Sequence, residues 1–180
     1  MKKFVLSAFI LLFVYATVPF ARAAQNPTAP PAPAAPAPGQ NALVDYTRQI
    51  KYDGLTLSVL LVNNRTVEVL FQAPAKYSMR ARANQQTVLY VQGTPTKDFD
   101  LTNTFSIEQD GQTMAGTPTS IKNFTNGKVP AGQRIDGIVE FPKKVDIAKP
   151  FTVKNGKGEV QFVLTPEAIK ALTPAAPNGR

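Results

Sequence analysis

The sequence predicts an all-β domain: an antiparallel β-sandwich with one short helix at its C-terminal end. Three observations carry that expectation. Short runs of period-two hydrophobicity recur along the chain. Turn residues (Asp-Gly, Asn-Gly, Pro) separate them at roughly the 8–12-residue spacing of sandwiches and barrels. Only the stretch Thr165-Pro166-Glu167 carries helix-start chemistry. The cleanest run lies within K-V-P-A-G-Q-R-I-D-G-I-V-E-F-P, from Lys128 to Pro142. Ile135, Gly137, Val139 and Phe141 fall on one face, and Arg134, Asp136 and Glu140 on the other. Pro142, which has no N–H for the ladder, stops the strand.

A chain of 180 residues, 43% hydrophobic and 18% charged, is enough for one domain with a real core once its ends are set aside. It contains no cysteine and no histidine. The first zero excludes a disulfide framework, a thiolate nucleophile, a cysteine metal site and a cysteine-anchored lipoprotein. The second removes the commonest general base and the commonest transition-metal ligand. Most hydrolase and metalloenzyme mechanisms are therefore disfavoured. No cofactor is expected, and the chain reads as a non-enzyme.

Residues 1–23 read as a signal peptide. Lys2 and Lys3 precede an apolar run from Phe4 to Phe20, and Ala21-Arg22-Ala23 offers small residues at a cleavage site. An uncleaved anchor is the rival reading, but the run contains Pro19 and is short for a span. Loss of Lys2, Lys3 and Arg22 leaves 20 − 3 = 17 basic against 12 acidic residues, a charge of +5 in place of +8. Residues 24–41 form an Ala/Pro-rich spacer, whose composition favours extended polyproline II over a packed core. It is either a stalk that keeps the domain near a membrane or cell wall, or an unstructured terminus. The location expected is periplasmic or extracellular, in a bacterial envelope.

The sandwich domain is expected over residues 42–172, with a loose tail at 173–180. Leu55, Leu57, Val59 and Leu61 alternate with Thr56 and Ser58, while Leu60 and Val62 make the strand apolar on both faces, as in a central strand. After a turn at Asn63-Asn64-Arg65, Val67, Val69 and Phe71 read as its hairpin partner. Tyr77, Met79, Ala81 and Ala83 oppose Ser78, Arg80 and Arg82, a strand with a basic face. Val88 to Gln92 is a further short strand. Leu101, Phe105 and Ile107 lead to Asp110-Gly111, a type I′ hairpin signal, and Thr119 to Phe124 follows. Phe151 and Val153 pair with Val160, Phe162 and Leu164 across Asn155-Gly156. Thr165 is the expected N-cap of a helix ending at Leu172. The whole is expected to be a sandwich of immunoglobulin type.

The order from Phe105 to Leu164 resembles the secreted immunoglobulin-like (telokin-like) DUF4352 / MPT63-type domains. F-S-I-E-Q-D-G-Q-T closes one hairpin, V-P-A-G-Q-R-I-D-G-I-V-E-F-P follows, and F-T-V with V-Q-F-V-L ends the domain. Phe105 and Gly111 match that family's F-x-L-x-D-x-x-G-type turn. Gly132, Gly137, Val139 and Phe141 match its G-x-x-x-x-G-x-V-x-F strand. The first half departs, since the long strand usual before the first motif is represented only by Val88 to Val91. The resemblance implies an extracytoplasmic sandwich and carries over no catalytic residue and no ligand.

Asp98 and Asp100 could form an acid pair or contribute to a Ca²⁺ site, but no local segment has the oxygen density such an ion needs. Asp136 and Glu140, beside Arg134, read as a cross-strand ion network. Ser120 and Lys122 read as sharing one strand face, but no S-x-x-K motif exists in the sequence. Lys143, Lys144, Lys149, Lys154 and Lys157 crowd one segment. They could contact a polyanion or an acidic partner, or simply protect strand edges. Arg80 and Arg82 with Tyr77 and Tyr90 are too sparse for nucleic acid. Gly111, Gly132, Gly137 and Gly156 are structural turn or packing positions. The function expected is an exported module that binds a protein or an anionic envelope polymer. Self-assembly by strand addition, and a small carboxylate-based hydrolase, are the alternatives.

Overall fold

The computed structural model describes residues 43–172; the expected signal peptide, Ala/Pro spacer and C-terminal tail lie outside the described residues. In chain order the elements are β1 (Thr47–Tyr52), β2 (Leu55–Leu61), α1 (Asn64–Leu70), α2 (Ala75–Gln85), β3 (Thr87–Gly93), β4 (Phe99–Leu101) and β5 (Phe105–Gln109). Then come β6 (Gln112–Ala115), β7 (Thr117–Lys122), β8 (Gly127–Val129), β9 (Ile135–Phe141), β10 (Phe151–Asn155), β11 (Gly158–Phe162) and α3 (Pro166–Leu172). No helix among the described residues is long and apolar enough to cross a membrane.

Two antiparallel sheets dominate, with strand orders β1-β2-β3-β9-β7 and β11-β10-β5-β6; β4 and β8 form a separate ribbon. Setting β1 aside and lettering β2, β3, β5, β6, β7, β9, β10 and β11 from A to G, with β6 as C′, gives sheets A-B-E-D and G-F-C-C′. That is the immunoglobulin arrangement. The expected all-β immunoglobulin-like sandwich with a C-terminal helix is therefore the fold. Alternate residues of both sheets meet in the core, among them Leu57, Val59, Leu89, Val139, Phe105, Ile107, Val153 and Phe162. Phe151 and Phe162 stack with ring centroids 4.9 Å apart. Each such buried aromatic contributes on the order of 1.5–3 kcal/mol by leaving water.

Two stretches expected as strands are helices. Asn63 does not make a turn between strands; it caps α1, its Oδ1 accepting from the Arg65 and Thr66 amides (2.9 and 3.0 Å) while its own N–H donates to Thr66 Oγ1 (2.8 Å). This capping box satisfies donors that a strand partner would otherwise have taken. Val67, Leu70 and Phe71 then fall on one helical face by their i, i+3, i+4 spacing. In α2, Ala, Lys, Arg, Met and Gln favour the helix, and Met79 and Ala83 form its buried stripe. The apparent alternation of Tyr77, Met79, Ala81 and Ala83 is coincidental. Glu68 of α1 pairs with Lys76 and Arg80 of α2 and ties the helices together.

The helical pair packs on the outer face of the five-stranded sheet and builds a second core with Leu60, Val62, Val88 and Ile138. This is why β2 is apolar on both faces: its outer side faces helices. A further correction concerns hairpins. β2 pairs with β1, a strand the sequence pattern did not reveal, across Asp53-Gly54, where Gly54 has φ 87°. The β10–β11 register sets Asn155 opposite Gly158, so the loop is Gly156-Lys157 and not Asn155-Gly156. Asp110-Gly111 is the hairpin turn expected, with φ values of 51° and 75°. Thr165 caps α3 as expected, its Oγ1 accepting from the Ala168 amide at 3.2 Å.

Candidate functional site

Among the described residues the helices cover only one end of the outer sheet face, and the other end stays open. Strand register defines what is displayed there. Leu60 lies opposite both Thr47 and Tyr90, and Tyr90 opposite Ile138, a row that passes under the edge of the helical pair. One step further out, Gln49 pairs with Ser58, Ser58 with Gln92, Gln92 with Asp136, and Asp136 with Lys122. Because side chains alternate faces, all five members of that row point outward. A hollow of about 550 Å³ lies over Leu43, Thr47, Gln49, Ser58, Tyr90 and Gln92. A second, of about 240 Å³, continues it over Ser58, Gln92, Thr94 and Arg134.

Asp136 organises this surface. It is 6% exposed, accepts from Tyr90 Oη at 2.6 Å and receives Arg134 Nε and Nη2 at 2.6 and 2.9 Å. Arg134 Nη2 also reaches Gln92 Oε1 at 3.4 Å. A buried carboxylate without such partners would be costly, so the bidentate guanidinium is what allows it there. Burial first, and then the hydrogen bond to Asp136, pushes the Tyr90 hydroxyl above its ordinary value. The Asp136 hydrogen bond, followed by that of Tyr90, raises Arg134 further still. The three side chains thus hold one another in a fixed hydrogen-bonded set.

The other expected site residues fall elsewhere. Glu140, on the same outer face as Asp136, is two rows away under α2 and accepts from Arg82 Nη1 (2.5 Å) and Gln86 Nε2 (2.7 Å). The two carboxylates therefore do not oppose one another across a cleft, the geometry glycosidic hydrolysis requires. Asp98 sits beside the β4–β8 ribbon, where Lys128 Nζ lies 3.0 Å away and the Ala131 amide donates at 3.1 Å. The lysine, more than the amide, holds its carboxyl below the ordinary range. Asp100 is exposed, opposite Lys128 in that ribbon. Among the described residues no group of three or more acids is placed to hold a metal ion.

Ser120 and Lys122 do not share a face. A bulge between them sets Ser120 opposite Gly137 and Lys122 opposite Asp136, so they fall on opposite sides of the sheet. The five lysines do not form one patch. Lys149 pairs with Asp110 (2.8 Å) and Lys154 with Glu108 (2.5 Å), and both lysines are raised by those acids. Lys143 and Lys144 follow β9 and border a hollow with Gln109, Asp110, Gln112 and Met114, and through Asp110 Lys149 joins them there. Lys157 lies in the β10–β11 turn, at the opposite end of β10 from Lys149. Arg80 and Arg82, expected on a strand, are helical and engaged with Glu68 and Glu140.

Gly111, Gly132 and Gly156 have φ of 75°, 76° and 55° and are turn residues as expected. Gly137 is a close-approach point: a Cβ there would overlap the Phe124 ring, and the bulge lies on the facing strand β7. The same strand bears on self-assembly. β7 is an open sheet edge with one charge in T-P-T-S-I-K, yet Pro118 removes a donor and the bulge interrupts the run, both devices that discourage strand addition. Sequence reasoning missed the row Gln49–Ser58–Gln92. The available signal was modest: Ser58 and Gln92 are polar positions in otherwise apolar strands.

No protein-family model, curated protein or solved structure matches the chain.

Proposed function

We propose that this chain is an exported, non-enzymatic immunoglobulin-like module that binds a partner protein or an envelope polymer through the open end of its outer sheet face. The observation that carries the reading is the contrast on that face, where one end is sealed by helices and the other displays the outward row Gln49, Ser58, Gln92, Asp136 and Lys122 beside a hollow bordered by Leu43, Val44 and Tyr90. The leader at residues 1–23 and the Ala/Pro spacer support export and presentation away from a surface. The engagement of Asp136, Glu140 and Asp98 by separate cationic partners supports binding over carboxylate catalysis. Relationship to the secreted DUF4352 domains is part of the same proposal; its support is the pattern of Gly132, Gly137, Val139 and Phe141 on β9 and its approach.

A photo-crosslinking side chain placed at Gln92 tests the reading in the protein's own cells. Discrete adducts from position 92, and none from position 157 at the end of β10, are expected. Equal labelling from both positions would count against the site, and catalytic turnover by the purified chain without added metal would count against the function. Self-assembly through β7 predicts large particles in light scattering; a monomer is expected.

A further inference from the structure

We infer that Met114 is an oxidant-modified site, which takes a peroxide as its substrate and presents the resulting sulfoxide to Lys143 and Lys144. The inference is independent of the binding-module reading. Composition sets the field: with no cysteine, histidine or tryptophan, the chain's three methionines are its most readily oxidised side chains. Met1 lies outside the described residues. Met79 is 4% exposed and packed into the helix–sheet core. Met114, by contrast, is half-buried on β6, the edge strand of its sheet, and lines the hollow of about 180 Å³ beside it. Hydrogen peroxide, little larger than a water molecule, fits a space of that size.

The surroundings suit the product as well as the reaction. Met114 lies opposite Ile107 and packs on the margin of the main core. Asp110, the acid of that hollow, is already paired with Lys149. Lys143 and Lys144 border the same hollow, are exposed, and form no salt bridge among the described residues. Each ammonium carries several N–H donors, for which a thioether sulfur is a weak acceptor and a sulfoxide oxygen a good one. In the step itself, a sulfur lone pair attacks one peroxide oxygen and the O–O bond breaks as the S–O bond forms. The proton of the attacked oxygen passes to the departing hydroxide, which leaves as water; sulfur is oxidised and the peroxide reduced. An apolar side chain thereby becomes polar and is drawn from the core margin towards the lysines. β6, paired on one side only, is the strand that yields.

Treatment of the folded full chain with hydrogen peroxide, followed by peptide mapping in a mass spectrometer, tests this. Met114 is expected to gain an oxygen at least about tenfold faster than Met79, a difference that disappears in concentrated urea. The oxidised chain unfolds at a lower urea concentration, and methionine sulfoxide reductase with a thiol reductant restores the original midpoint. Met114→Leu abolishes both the shift and its reversal. Lys143→Ser with Lys144→Ser enlarges the gap between oxidised and reduced midpoints, whereas Lys157→Ser leaves it unchanged; circular dichroism confirms that each variant is folded. Equal oxidation of Met79 and Met114 in the folded chain, or no sulfoxide at Met114, overturns the assignment of the site. An unchanged gap in the Lys143/Lys144 variant overturns the part given to the lysines.

Discussion

The outer face of the five-stranded sheet has two ends that solve the same problem in opposite ways. At one end Leu60, Val62, Val88 and Ile138 are apolar, and the chain spends two helices on covering them. At the other, Gln49, Ser58, Gln92 and Arg134 meet water directly, and the single buried charge is paired within the sheet. Tyr90 stands on the border. Its ring meets Phe71 edge-on at 6.2 Å on the covered side, while its hydroxyl serves Asp136 on the open side. An uncovered apolar face would be an association surface, whereas a polar face of paired groups is one that the fold can leave exposed. The inner sandwich and the helix-covered end hold the buried apolar residues, while the open end buries few.

Breaking that contrast should cost most on the covered side. Met79→Ala empties part of the helix–sheet core and is expected to lower stability by about 2–5 kcal/mol in urea unfolding. A loss below about 1 kcal/mol would mean that the helices are loosely held and the face is open throughout. Next, Asp136→Ala leaves the Tyr90 hydroxyl and the Arg134 fork without their acceptor, a cost of about 1–3 kcal/mol. It should also lower the Tyr90 titration, because the carboxylate's contribution holds that hydroxyl up.

A pH test compares the border residue with one on the inner side. Burial pushes the Tyr52 hydroxyl from 10.0 to about 12. The folded state then keeps its proton while the unfolded chain loses it, so this stability is whole below pH 10 and is lost as pH rises towards 12. Tyr52→Phe should flatten the alkaline fall in urea midpoint more than Tyr90→Phe does; an equal effect of the two would place Tyr90 as deeply as Tyr52. Smallest of all, Gln92→Ala on the open end should change stability by no more than about 0.5 kcal/mol.

Much of this fold was readable from periodicity and turn chemistry. The β5–β6 hairpin, β9, the β10–β11 pair and the Thr165-capped helix follow from local pattern, because each is specified within a dozen residues or so. What failed was local ambiguity. Val67-x-Val69-x-Phe71 fits both a strand and part of a helix, and only the capping box at Asn63 and Thr66 decides it. β1 offers few apolar residues in T-R-Q-I-K-Y, although Asp53-Gly54 was a hairpin signal in plain view. The candidate site was the least legible part. Its row assembles residues from five strands between Gln49 and Asp136, and its existence depends on four separate registers. The lysine cluster, conspicuous in sequence, is split: Lys143, Lys144 and Lys149 gather around Asp110 before β10, while Lys157 lies in the turn at the far end of β10.

The capped helical pair opens and closes at one point in the ladder. The Val62 amide donates to Val88 O at 2.9 Å, so the chain leaves the sheet after β2 and re-enters beside the place it left. Residues 63–86 are in effect a cassette held between neighbouring rungs. A different cassette of similar apolar footprint could be spliced there without altering the register of any strand, and the polar row beyond would keep its spacing. Any such replacement would still have to supply a ring against Tyr90 and donors for Glu140, the parts now played by Phe71, Arg82 and Gln86.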